Sequence, residues 1–225
     1  MSHTAKSSAG GPGWRALALA TTLTGVLFAA RAVAADVTAG AAAPSSGVAA
    51  GFVPLDSADQ LKAYYFVFTR TPADRAEFTR YALNLGQAAV QAADDLADKA
   101  VERAKADADI ILDLKDVSLN NYDASKQAFP MDNRLFLGKL GYYFDDSPYH
   151  YFYTNPSNLN PLPCPDPAVA RTIDERVNAY KLFEMKVYGR VTGADATDKS
   201  VAVKIAKIEL FDDGGHLLFE RNAGE

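Results

Sequence analysis

Apolar residues recur along this chain with two different periods, and the change between them separates its first half from its second. Asp56-Ser57 offers a helix N-cap, and Leu61, Tyr64, Tyr65 and Phe68 follow at helical spacing, which predicts a first helix. Thr71-Pro72-Ala73-Asp74 supplies a second start signal: a cap, a proline in the first turn and an acid. Behind it Phe78, Ala82, Leu85, Ala89, Ala92 and Leu96 are spaced by 4, 3, 4, 3 and 4, a single apolar seam. The seam predicts one helix running to Lys105, roughly 50 Å long at about 1.5 Å per residue. Its small residues permit close approach of another layer. Packing on the protein's own sheet is expected ahead of homodimerisation through residues 78–96.

From residue 108 the period becomes 2. Ile110, Leu112 and Leu114 alternate, and Val117 and Leu119 resume after a one-residue slip, the mark of a bulge. Asp166-Pro167 opens a short helix to Asn178, with Val169, Ile173 and Val177 on one stripe. Phe183, Met185, Val187 and Val191 alternate with polar neighbours, as in a strand buried on one face. A turn around Gly193-Ala194-Asp195 leads to Val201, Val203 and Ile205, then Ile208 and Leu210, with a second bulge implied at Ala206-Lys207. Asp212-Asp213-Gly214-Gly215 is a tight-turn signal, and residues 216–220 pair back. The pattern predicts an α+β fold: N-terminal helices, one of them long, packed with or preceding a mainly antiparallel sheet of about five strands.

The stretch Gly141 to Tyr153 carries the densest group of aromatics. Two aromatic runs flank Asp145-Asp146-Ser147-Pro148, which predicts a hairpin with a four-residue turn. Alternation places Tyr149, Tyr151 and Tyr153 on one face and His150 and Phe152 on the other. His150 and Phe152 are expected to face the core. The tyrosine row is expected to be partly covered by the proline-rich passage 155–167, with any ligand in the groove between them.

The N-terminus has its own logic. Lys6 and Arg15 precede an apolar run from Ala16 to Ala30, and Ala32-Val33-Ala34 is a small-residue cleavage signal. This layout is that of a secretory signal peptide over residues 1–35, its apolar run too short for a spanning helix. Residues 36–54 are rich in Ala, Gly, Ser and Pro and read as a flexible tether. A helical segment over 55–107 and a sheet domain over 108–225 follow, expected as one folded unit. The expected location is outside the cytoplasm, periplasmic or secreted.

Export changes the composition. The leader's only charges are Lys6, Arg15 and Arg31, so the exported chain keeps 20 Lys and Arg against 28 Asp and Glu, a net charge of −8. That balance has no electrostatic footprint for nucleic acid. The only tryptophan, Trp14, leaves with the leader, and the exported chain retains His150, His216 and one cysteine, Cys164. A lone cysteine closes no intrachain disulfide, and Pro163-Cys164-Pro165 places it in a loop.

No Gly-x-Ser-x-Gly elbow, His-Glu-x-x-His helix or phosphate-cradling glycine loop is present. Two histidines 66 positions apart without spaced partners make no metal set, and no cofactor is called for. The sequence leans away from catalysis and towards a binding or assembly-support domain, with another envelope protein or a glycan as partner. Tyr149, Tyr151 and Tyr153 with Asp145 and Asp146 form the candidate ligand set: tyrosine faces stack on sugar rings, and carboxylates take hydroxyl hydrogen bonds. A glycan-binding module is the first alternative and a hydrolase the second.

Tyr122-Asp123, followed by Phe129-Pro130, and the later stretch Tyr188-Gly189-Arg190-Val191-Thr192-Gly193-Ala194-Asp195 resemble a pattern of uncharacterised exported bacterial proteins, a domain of unknown function. The resemblance covers residues 108–220 and implies a similar sheet and export. It brings no activity and no site residue.

Overall fold

The computed structural model describes residues 51–137, 141–144 and 147–224. Two long strands form its spine. β7, Phe183–Asp195, pairs antiparallel with β8, Ser200–Phe211, from Glu184↔Phe211 to Asp195↔Ser200. Their inward residues, including Phe183, Met185, Val187, Val201, Val203, Ile205, Ile208 and Leu210, are buried. The parity change at Ala206-Lys207 is a bulge, since Tyr188↔Lys207 is followed by Gly189↔Ile205. The turn falls after Asp195 rather than at Gly193-Ala194-Asp195, because β7 continues through those residues.

On one side of β7 lies β2, Asp109–Val117, antiparallel to it. Its register breaks between Leu114 and Val117, where Asp116 takes a φ of 54°, so the slip in the sequence is the bulge itself. Arg190 grips Asp109 with two hydrogen bonds of 2.7 Å and holds that carboxyl below its usual pKa. β1, Val53–Pro54, adds to β2 in parallel. On the far side of β8, β5, His150–Tyr153, runs parallel to it, and β4, Tyr142–Tyr143, is antiparallel to β5. β9, Leu217–Asn222, pairs with the other half of β8 after a turn closed by Gly215 at a φ of 79°. Among the described residues the α+β class therefore holds with a mixed, curled sheet of seven strands, ordered β1-β2-β7-β8-β5-β4 with β9 beside β8. The expectation of about five mainly antiparallel strands missed β1 and the parallel pairing of β5 with β8; both parallel partners are distant in sequence. Two short strands, β3 at Ala128–Phe129 and β6 at Leu162–Pro163, pair separately.

Helix α1, Ala58–Thr69, starts at Ser57, whose hydroxyl accepts from the Gln60 N–H. It contacts β7 and β8 as well as the third helix. Helix α4, Pro167–Asn178, is capped by Asp166, which accepts from the N–H groups of Ala168 and Val169, and it buries Ile173.

The single long helix is corrected. Asp74 caps a short α2, Arg75–Thr79, a 3-10 turn follows at Leu83–Leu85, and α3 spans Gln87–Ala106. Gly86 separates them with a φ of 97° and ψ of 172°, a conformation that side chains with a Cβ rarely adopt. The 4-3-4 spacing survives the break without one continuous helix behind it.

The leader (residues 1–35), residues 36–50 of the tether, and Asp145 and Asp146 lie outside the described residues. The last residues assigned to the tether belong to the sheet: Val53 pairs with Ile110, and the Phe52 ring meets Tyr188 edge-on at 5.2 Å.

Gly86→Ala meets open space but keeps the left-handed φ. It should lower the stability read by denaturant unfolding by about 1 to 2 kcal/mol. Burial, foremost, pushes the phenols of Tyr64 and Tyr149 up to about 12. Unfolded tyrosines ionise near 10, so the stability drawn from these neutral phenols is complete below that pH. It is lost as pH rises towards 12. Phenolate absorbance should accordingly show a late-titrating fraction that appears together with alkaline unfolding.

Candidate functional site

The candidate tyrosines are core residues. Tyr149, Tyr151 and Tyr153 are all buried, whereas His150 and Phe152 are partly exposed, so the alternation is right and the assignment of faces is reversed. Tyr149 packs on Tyr65 and Phe66 of α1, with ring centroids 4.9 and 6.1 Å away. Phe136 covers Tyr153 at 5.3 Å. The passage 155–167 does fold inward, burying Leu159 and Leu162, and Asn155 bonds both the N–H and the C=O of Ile205. The tyrosines it was expected to cover only in part are enclosed, because α1 closes over Tyr149, Tyr142 and Phe144 pack on Tyr151, and Phe136 covers Tyr153.

Cys164 is buried in its proline-flanked segment, and burial pushes its thiol up to about 11. That is the reverse of a nucleophilic cysteine, whose pKa must fall. His150 stacks on Tyr143 with centroids 4.7 Å apart, and its Nε2 stands 4.0 Å from Asp198. His216 lies across the molecule's sequence in the last turn, 3.2 Å from Asp212. Among the described residues no three His, Cys, Asp or Glu side chains stand together as a metal set.

Among the concave surfaces of the described residues, two bear on binding. The first is a cleft between β2 and β4, lined by Asp113, Lys115, Asp132, Asn133, Arg134 and the two outward tyrosines Tyr142 and Tyr143. Those tyrosines are 42% and 52% exposed and supply the accessible aromatic surface that the buried row cannot.

The second is a groove of about 460 Å³ bounded by α1, α2, the 3-10 turn and α3. All six residues of the apolar seam, Phe78, Ala82, Leu85, Ala89, Ala92 and Leu96, line it. The seam was expected to pack on the sheet. Instead α3 packs on α1 with a neighbouring stripe, burying Ala97 and Ala104, and turns the seam outward. Phe78 stays buried at the seam's head, but the two leucines face solvent: Leu85 is 76% and Leu96 60% exposed, with Tyr81 and Leu83 similarly open beside them. Four of the ten exposed large hydrophobics among the described residues thus fall within residues 81–96, a concentration of the kind that interaction surfaces carry.

Charged side chains hold the groove's walls. Lys62 is almost fully buried, and its ammonium donates to Asp59 Oδ1 at 2.8 Å and to the Glu77 carbonyl at 2.7 Å, tying α1 to α2. It also lies 5.5 Å from the Phe78 ring centre. Arg75 pairs with Asp98 and donates to the Asp94 carbonyl at 3.2 Å, tying α2 to α3. Glu77 is held in turn by Arg80 at 3.0 Å and Lys199 at 3.4 Å, the latter reaching from the β7–β8 turn. The arrangement presents apolar side chains over an alanine floor in a frame fixed from three sides. It can take up an apolar surface; no pair of groups in it is set for proton transfer or attack.

Sequence reasoning found the groove's lining without recognising it as a groove. The signal that could have redirected the assignment was Gly86, which interrupts the helical run between Leu85 and Ala89.

Comparison with known proteins yields no matching family model, no matching curated protein and no matching solved structure. Among the described residues no helix is long and apolar enough to cross a membrane.

Lys62→Met keeps most of the stem's volume but removes both hydrogen bonds at the floor. It should cost about 2 kcal/mol, the scale of charge-assisted hydrogen bonds. Thermal unfolding with and without the substitution reads that loss.

Proposed function

We propose that this chain is an exported, non-enzymatic binding domain of the cell envelope that supports an assembly by docking a helix of a partner polypeptide in the groove between α1 and α3. Export rests on the charged lead, the short apolar run and the Ala32-Val33-Ala34 signal. The resemblance of residues 108–220 to exported bacterial proteins points the same way. One observation carries the binding role: Leu85 and Leu96 stand largely in solvent over the floor of Ala89 and Ala92. A helix laying an apolar stripe into such a groove buries those leucines, while the alanines let its backbone come close.

A glycan-binding role has one observation in its favour, the exposed pair Tyr142 and Tyr143 beside Asp113, Asp132 and Asn133. Retention on purified peptidoglycan that is lost in Tyr143→Ala would support it. No retention, or retention unchanged by that substitution, removes it.

The groove is tested with an environment-sensitive dye attached at Leu96→Cys, since the only native thiol, Cys164, is buried and protonated. Titration with a short amphipathic Leu/Lys helix should give a saturable blue shift. Ala92→Arg should weaken it by at least about tenfold, the loss of 1.4 kcal/mol or more. A flat titration, or one indifferent to Ala92→Arg, overturns the groove reading.

A further inference from the structure

We infer that the helix docked in the groove is α3 of a second copy of this chain, laid antiparallel across a two-fold axis at the level of Val90 and Gln91. The inference rests on the groove being a helix-binding surface and names its occupant. Its first support is the symmetry of the lining. Within the lining, Leu85 and Leu96 lie equally far along the chain from the midpoint between Val90 and Gln91, as do Ala89 and Ala92. An antiparallel two-fold therefore maps these four residues onto one another, as an isologous interface requires. The alanines of both copies meet at the centre, where they permit close approach, and Leu96 of each copy comes level with Leu85 of the other at the flanks.

Charge supplies the second support. Residues 87–93 contain no charged side chain, and the charged groups of the groove wall, Asp59, Lys62, Glu77 and Arg80, are already paired with one another, so no unpaired charge has to be buried at the centre. Acids begin immediately afterwards, at Asp94, Asp95 and Asp98. Conversely, α3 begins with no side-chain cap and no acid in its first turn, leaving the positive end of its dipole uncompensated. The same two-fold that superposes leucines on leucines sets Asp95 of each copy level with Gly86 of the other, at that bare N-terminus. A parallel pair would instead bring the acids of the two copies together.

The third support is orientation. Gly86 and the Arg75–Asp98 tie hold the 3-10 turn and α3 so that Leu85 and Leu96 project into one groove although they sit on separate elements. The surface is thus preformed in the single copy, and association needs no rearrangement.

The experiment uses the full-length protein, expressed and purified as the exporting cell processes it. Sedimentation equilibrium should give a dimer, and Leu96→Asp, at a solvent-facing site that leaves the circular dichroism unchanged, should weaken it by at least tenfold. Asp95→Asn should weaken it by a smaller factor. With a short bismaleimide, Ala92→Cys, on the groove face of α3, should cross-link to a dimer while Glu175→Cys, on the exposed side of α4, should not. A monomeric protein, a dimer indifferent to Leu96→Asp, or equal cross-linking of the two cysteines overturns the inference. A monomer whose dye at residue 96 is already blue-shifted means that the chain's own N-terminal residues fill the groove, which also overturns it. If the protein is monomeric but the dye responds to the Leu/Lys helix, only the second-copy assignment falls; if both readouts are silent, the groove reading falls with it.

Discussion

The burial of Tyr149 against Tyr65 and Phe66 is the contact on which the two layers of this protein depend. It joins β5 to α1, and α1 is the element that α3 packs against. Aromatic pairs in such tilted and edge-on arrangements add about 0.5 to 1.5 kcal/mol beyond the area they bury. Here they also fix position. Tyr64 donates to the Asp107 carbonyl at 3.0 Å, pinning the other side of α1 where α3 gives way to β2. A helix held at both ends of its aromatic run leaves α3 one place to lie.

The groove follows from that placement. Because α3 spends its alanine stripe at Ala97 and Ala104 on α1, its second stripe, from Ala89 to Leu96, is left lining an open groove among the described residues. A buried ammonium is costly unless it is well bonded, and Lys62 meets that condition by reaching a carboxylate and a backbone carbonyl together. The groove is consequently a rigid feature, formed before anything enters it. An assembly built on it would depend on contact between surfaces already in place, with little entropy lost in ordering chain segments.

Much of this was legible in the residue pattern, and the failures have identifiable causes. Asp166 and Ser57 cap helices because their side chains reach free N–H groups, a local effect that needs no tertiary knowledge, whereas the second start signal lay three residues early: Asp74, expected as the acid behind a Thr71 cap, is itself the cap. The bulges at Leu114–Val117 and at Ala206 were visible as slips of parity, since a strand keeps its buried face only by inserting a residue. A strand of two residues such as β1 carries no period to detect. For the aromatic strand, alternation sorted the residues into two sets, but which set meets the core depended on where α1 lands, and that is set far away in sequence. The apolar seam shows the same limit from the other side: spacing groups residues onto one surface without saying what covers it.

The chain's entry into the sheet has a mechanical consequence. Val53–Pro54 lies along β2 and Leu55 donates to the Ile111 carbonyl at 2.9 Å, so tension arriving from the preceding residues is carried by the sheet's outermost strand before it reaches α1. The Phe52–Tyr188 contact acts as a cleat on that line. A pull applied ahead of Phe52 would strain a two-residue pairing at the margin before it reached the helical frame around Lys62 and Arg75.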